Sequence, residues 1–377
     1  LGAGGDSPGY SAHAAVKQQG TTSLTPPIVQ AGKKPAAADK ANLAGTVSFR
    51  PAKKGRPVVI QRRVDGTKKW TKVSTARQNK KGVVSFTGPA GSGGSTYSYR
   101  GVAKRYQGLK PVAAKPQSAQ AWGRLFNEEF SGSALSEQWG VRAEGAYSPS
   151  SQRACSASYR DAVTVGGGRV QLSVKDDPAR TLTHGPCNAS QGNQHSNRNW
   201  YRNGHISTQN RFSFRYGVAA ARVKFDREAG AHGSFWLQTT VANRPDVGPA
   251  KDGAEIDVVE YFGKSFKKGD IYTFIHYKDA ADRDVKVPNK PITAARKALG
   301  KNDDWFKKYH VFSVEWTPKA YIFRVDGIQT LKLTQGVSRV PEFLILSMLS
   351  SDWELDKMNR STLPNHTEVD WVRVWQK

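Results

Sequence analysis

From residue 41 onward, apolar and polar positions alternate in short runs. Gly45–Phe49, Pro57–Arg62, Trp70–Val73, Gly82–Phe86 and Thr96–Val102 each read as a strand, and the clusters Lys53-Lys54-Gly55, Asp65-Gly66 and Gly91–Gly94 read as the turns between them. Five short strands at this spacing predict a small β-sandwich over residues 41–112. After Trp122 the same period-two signal recurs at Arg169–Val174, Gly217–Phe225, Gly233–Gln238, Glu255–Tyr261, Tyr272–Tyr277, His310–Trp316, Tyr321–Val325, Pro341–Leu349 and Glu368–Trp375. One helix-like stretch lies near Ala294–Ala298, and no repeat of solenoid or propeller length is present. The expected fold class is all-β, with a large sandwich or barrel over residues 122–377 and a short linker at 113–121. No apolar run reaches the roughly 18 residues of a membrane helix, and Phe343–Leu349 fits a buried strand.

Residues 1–40 carry Gly, Ala, Ser, Thr and Pro with almost no periodic apolar positions, and so predict a flexible tether. Leu1 reads as the end left by processing, with a cut made for expression as the alternative. Composition sharpens the division. Residues 1–120 hold 21 Lys and Arg against 3 Asp and Glu, whereas residues 121–377 hold 36 against 28. Nine of the ten tryptophans lie in the second part, so the two modules have different work. Two cysteines exclude a cysteine-based zinc scaffold.

The candidate chemistry sits in one strand, within the segment DGAEIDVVEYFG. Alternation puts Glu255 and Asp257 on one face and would turn Glu260 to the other. A one-residue bulge after Asp257 brings Glu260 back, so that three carboxylates share a surface and raise one another's pKa. Two such groups across a scissile bond are what a retaining glycosidase needs. An acidic edge strand or a calcium site is the alternative at this point.

The string Glu255–Glu260 resembles the E-x-D-x-x-E signature of glycoside hydrolase family 16 in its bulged, laminarinase-like and agarase-like form. Further strings agree in order: FNEEF (Phe126–Phe130), NGHIST (Asn203–Thr208), Tyr216-Gly217 with Arg222, Phe235-Trp236-Leu237, VEWT followed by Val325-Asp326-Gly327, and VDWVRVWQ (Val369–Gln376). The resemblance implies a concanavalin-like β-jelly-roll with its cleft on the concave sheet. By motif position it implies Glu255 as nucleophile, Asp257 as assisting carboxylate and Glu260 as acid/base. It also implies His276 beside the acid/base, with Trp236 and Trp353 as platforms for sugar rings. Glu129 and Asp370 resemble the ligands of a structural calcium ion, with a pair of surface acids as the alternative. No cofactor is expected for catalysis. Trp316 and Trp371 are assigned to the core, and Trp200 and Tyr201 to a polar loop. The walls depart from the family: His232, expected with Trp236, His276 and Trp353 to bind substrate, stands where a stacking ring is common, Ala220 replaces a strand glutamate, and Leu346–Asp352 lacks the usual Asn.

The small basic module resembles the immunoglobulin-like modules appended to secreted bacterial enzymes. Its partner is expected to be an anionic cell-wall or acidic polymer, with a plain spacer as the alternative. Nucleic acid is disfavoured, because aromatic residues are not interleaved with the basic ones. Cys155 and Cys187 enclose 31 residues and would form a bridge in an exported protein, two buried thiols being the alternative. The reading is a secreted, monomeric, retaining endo-hydrolase of a β-linked polysaccharide, β-1,3-glucan first and an agar- or carrageenan-type galactan second. A non-catalytic lectin and a transglycosylase are the rivals.

Overall fold

The computed structural model describes residues 17–148, 151–180, 187, 199–240, 251, 253–265, 267 and 269–377. Residues 1–16 of the expected tether, most of the loop expected at 188–203, and Asp252 lie outside the described residues. Two compact units divide the chain. Among the described residues, the smaller takes those within 17–24, 45–86 and 91–119, and the larger those within 25–44, 87–90 and 120–377.

The smaller unit is built on two sheets. One is made from residues 19–24, 45–50 and 83–86 of the strands Gln19–Val29, Asn42–Arg50 and Val83–Pro89, and the other from Thr71–Arg77, Pro57–Val64 and Ser95–Ala103 with short edge strands. Their inward residues Val47, Phe49, Val58, Ile60, Val84, Phe86 and Tyr99 are buried, and the Phe86 and Tyr99 rings meet at 5.2 Å. Each such side chain contributes about 1.5–3 kcal/mol by leaving water. The expected tether and linker are corrected here. Gln19–Val29 is a strand whose burial alternates strictly, but its inward positions are Gly20, Thr22, Leu24, Pro26 and Ile28. Only two of those five are aliphatic, so hydropathy hides the period. Part of the 113–121 linker is likewise strand, since Val112–Ala113 and Gln117–Ser118 pair with Ser95–Ala103.

In the larger unit one continuous sheet path folds back on itself. Its order is Asp284–Val287, Tyr272–Lys278, Glu255–Tyr261, His232–Thr239, Glu342–Leu349, Tyr201–Ser207, Val170–Asp176, Asn365–Gln376, Gly217–Lys224, His310–Thr317, Ala320–Val325 and Ile328–Leu333. The two ends of the path face each other as the layers of a jelly-roll sandwich around a core that includes Phe235, Ile256, Phe312, Trp316, Leu346 and Val372. Gly233 marks how closely the layers approach: a Cβ there would strike the Thr367 hydroxyl and the Phe225 ring. Trp316 and Trp371 are fully buried, as expected. Tyr201 opens a strand and is also fully buried, which corrects its assignment to a loop.

Residues 25–44 form a strap on the outer layer of this unit. Ile28, Ala38 and Ala41 pack with Val218, Ala220, Val311, Trp371 and Trp375. Beneath them the Arg222 guanidinium donates to the Gln30 carbonyl at 2.5 Å and the Lys34 carbonyl at 3.1 Å. Ala220, where the family's glutamate would stand, is fully buried in this apolar contact. Cys155 and Cys187 are joined as a disulfide. Asp352 holds the chain beside it by accepting the Ala154 and Cys155 amides at 3.1 and 3.2 Å.

Candidate active site

The acidic strand is launched by Gly253, whose φ of +81° suits glycine and whose Cβ would meet Thr239 and Glu342. Ala254 then donates its amide to Glu342 Oε1 at 3.2 Å, which fixes the register at the start of the strand. On one side Trp236 pairs with Asp257 and Phe235 with Val259, so Val258 has no partner of its own. On the other side Glu255 lies opposite His276 and Asp257 opposite Phe274, and pairing resumes only at Glu260 and Tyr272. This is a one-residue bulge. Ile256, Val258, Val259 and Tyr261 all enter the core. Two consecutive inward valines leave Glu255, Asp257 and Glu260 together on the opposite, concave face.

Each acid has a different setting. Glu255 accepts a hydrogen bond from Gln238 Nε2 at 3.3 Å, and the Arg142 guanidinium in turn binds Gln238 Oε1. Burial and then the charge of Glu260 push its carboxyl up, while Arg153, Arg142 and the Gln238 amide favour its ionised form. Asp257 is 3% exposed and its Oδ2 has no hydrogen-bond partner among the described residues. Burial, followed by the charges of Glu255 and Glu260, raises it well above the ordinary carboxylate range, against a weaker pull from Lys286. Burial also raises Glu260. His232, Lys286 and Arg153 oppose that rise, and the Glu354 carboxylate adds to it. Both acids are thus raised by burial and opposed by cations; they differ in that Glu255 meets the Gln238 amide and feels the charge of Glu260, whereas Glu260 has His232 first among its cationic neighbours and the Glu354 carboxylate behind it.

Asp257→Asn is expected to be more stable than the wild type by about 1–3 kcal/mol at pH 7, because the amide never takes up the negative charge that burial beside Glu255 and Glu260 disfavours. Because the folded-state pKa of Asp257 is raised, its penalty is absent below the unfolded carboxylate range, near pH 4, and grows as pH rises through the folded one. Urea unfolding at pH 4 and pH 7 checks this, and an equal difference at both would refute the cause given.

The remaining expected residues divide. Trp236 is half-buried, donates Nε1 to Ser347 Oγ at 3.1 Å, and has the His205 ring and the Arg142 guanidinium as neighbours. Trp353 is 40% exposed. With Phe262, Tyr272, Ser265, Gly230 and Lys357 it lines a cavity of about 130 Å³. Two expectations are corrected. His276 lies opposite Glu255, with a ring nitrogen within 4.8 Å of carboxylate oxygens of both Glu255 and Asp257, and not beside Glu260. His232 is 2% exposed and cannot offer a face to a sugar. Its Nε2 instead stands 3.9 Å from Glu260 Oε1. Ser234 Oγ, on the strand beside the acids, and His205 Nε2, two strands further along the sheet, are buried without partners among the described residues. Arg142, Gln238 and Glu354 escaped the sequence reading. Gln238 was findable, two positions after Trp236 on the same face, but no local pattern leads to the other two.

Among the described residues, Glu255, Asp257 and His276 form a group with the ligand atoms to hold a metal ion. The calcium ligands expected at Glu129 and Asp370 do not fit. Asp370 pairs with Arg222 and accepts the Ala36 amide at 2.9 Å. Glu129 pairs with Arg373 at 2.8 Å and accepts the Ala38 amide at 3.1 Å. Guanidinium groups and strap amides fill the positions from which six to eight oxygens would have to converge, and the one free oxygen, Asp370 Oδ1, does not make a shell.

Comparison with known proteins agrees with this geometry. A family model described as glycosyl hydrolases family 16 matches residues 157–373. Solved structures share the fold. The laminarinase catalytic domain of Thermotoga maritima is 16% identical, covers 68% of this chain and 98% of its own, and superposes with a TM-score of 0.51. A non-specific endo-β-1,3(4)-glucanase is 19% identical over 68% of this chain and 95% of its own, with a TM-score of 0.52. The Drosophila melanogaster Gram-negative bacteria-binding protein 3 is 29% identical over 117 residues, 31% of this chain, and the match spans only 22% of that relative's length. With the family model covering more than half of its length and the acids of the family's signature gathered on one concave face, the chain belongs to glycosyl hydrolases family 16.

Proposed function

We propose that this chain is a secreted, retaining endo-hydrolase of a β-linked polysaccharide, with β-1,3-glucan as the preferred substrate. The observation that carries the reading is the bulge that sets Glu255 and Glu260 on one face in unlike surroundings. Glu260, protonated, gives its proton to the glycosidic oxygen as the bond to the anomeric carbon breaks, and the Glu255 carboxylate closes on that carbon to form a glycosyl ester. Water then attacks the same carbon, Glu260 takes its proton, and the bond to Glu255 breaks, so configuration is retained. Asp257, between them, shares the proton inventory of the pair. The disulfide suits an oxidising compartment. Among the described residues, no helix is long and apolar enough to cross a membrane. Laminarinases and a β-1,3(4)-glucanase among the structural neighbours favour glucan over galactan.

The basic unit serves as an anchor to an anionic polymer. Arg63 and Arg100 both lie over the Trp70 ring, at 4.8 and 4.2 Å, and Arg62 over Tyr97 at 4.6 Å, which sets three guanidinium groups on one sheet. Residues 41–118 contain 17 Lys and Arg against the single acid Asp65, whose carboxylate is taken by the Ser98 and Ser118 hydroxyls.

A second reading, binding without cleavage, is favoured by the name of the insect relative. A panel of laminarin, agar, carrageenan and xylan, scored for binding at low and high salt and for product, separates the two. Laminarin oligosaccharides released first as the β-anomer in ¹H NMR are expected. Salt-sensitive retention on the anionic members is expected of the basic unit. Binding with no product from any polymer overturns the hydrolase, and longer rather than shorter products would indicate transglycosylation.

A further inference from the structure

Behind Glu260 lies a second acid that the double displacement does not use. Glu354 sits in the 3₁₀ turn Asp352–Lys357, is 2% exposed, and accepts the Ser351 amide at 3.0 Å. The same oxygen is 2.6 Å from His232 Nδ1. An oxygen that already accepts one N–H is best matched by a second donor, so Nδ1 carries a proton and Nε2 is the nitrogen turned toward Glu260. The ring cannot swing away, because it stacks on Phe262 at 4.7 Å and lies nearly parallel to Trp353 at 6.5 Å.

We propose that Glu354 and His232 form a buried relay to Glu260, in which His232 is the positioning residue that aims the acid and the Glu354 charge behind it is what favours its protonated form. This rests on the reading of Glu260 as the acid/base. With Nδ1–H committed to Glu354, the Nε2 lone pair can accept the Glu260 O–H. A 3.9 Å gap closes by a small rotation or by one bridging water. The Glu354 charge makes ionisation of Glu260 more costly. Other groups facing the pair are Glu255 and Asp257 on the same strand as Glu260, Lys286 two strands away, Arg153 in the loop before the disulfide, His205 across the sheet and Lys357 in the cavity wall. Of these, Glu354 is the one that His232 bonds directly.

The test is Glu354→Gln, which keeps the shape and an oxygen for the Ser351 amide while removing the charge. The alkaline limb of kcat/KM is expected to move down by about half to one pH unit, with KM within twofold, as one fewer negative charge several ångströms away implies. The ¹³C carboxyl resonance of Glu260 should titrate lower by the same amount. An unmoved limb together with an unmoved resonance overturns the relay. A resonance that moves while Glu260→Gln remains active supports the relay and overturns the acid/base assignment instead. Should Glu354→Gln not fold, His232→Gln, which can still donate to Glu354, is expected to lower kcat at least tenfold with KM within twofold, and an unchanged kcat overturns the proposal.

Discussion

Glu255→Gln is expected to lower kcat on laminarin by about 10⁴-fold or more while leaving the unfolding midpoint and KM close to wild type. The amide fills the same volume and can still meet Gln238, so the strand has no reason to move. It cannot attack an anomeric carbon, and neither Asp257 nor Glu260 can replace it. Asp257 is the more deeply buried and the more strongly pushed toward its neutral form. Glu260 lies beyond the bulge, opposite Tyr272, whereas Glu255 lies opposite His276. Reducing-end release and circular dichroism on one preparation decide the matter. Activity within tenfold of wild type would mean that the nucleophile is elsewhere.

Glu260→Ala should be nearly as damaging on a natural glucan, by about 10²–10⁴-fold, the range of a lost general acid. The loss should depend on the leaving group. An aryl glycoside with an acidic phenol needs no proton to depart, so its first step should run almost normally and the glycosyl ester should accumulate for want of a base to activate water. A burst followed by slow turnover is the expected trace. The pH profile should change with it: the raised pKa of Glu260 extends the protonated, active form upward in pH, so the wild-type alkaline limb belongs to this residue and should vanish in the variant. Equal loss on good and poor leaving groups would remove Glu260 from the acid's role and leave it as part of the wall.

These results turn on one inserted residue. The spacing of Glu255, Asp257 and Glu260 was visible in the chain, and period-two alternation was enough to require a bulge if all three were to act together. The bulge itself is held by partners from elsewhere. Phe235 and Trp236 pair across Val258 on one side, Phe274 and Tyr272 span it on the other, and the core takes both valines. Most strands of the larger unit were legible because their inward positions are large and aliphatic or aromatic, as in Glu342–Leu349. Gln19–Val29 was not, because glycine, threonine and proline can occupy inward positions without raising hydropathy. Ile28, Ala38 and Ala41 hold the strap with little apolar surface, and Arg222 supplies the rest through carbonyls that any residue has.

Local order and covalent chemistry belonged to the sequence: an all-β chain, a basic part and a tryptophan-rich part, and three carboxylates at a spacing that alternation can interpret. The tertiary structure decided which histidine faces which acid. His276 and His232 both lie on strands flanking Glu255–Tyr261, yet register places the first beside Glu255, while Glu354, from a distant turn, turns the second toward Glu260. It also decided that Arg222 and Arg373, rather than a metal ion, face Asp370 and Glu129. The physical reason is the same in each case. A side chain's neighbours along the chain set its face, but its charge environment is set by groups within a few ångströms in space, and those come from segments whose order in the sequence carries no mark of their meeting.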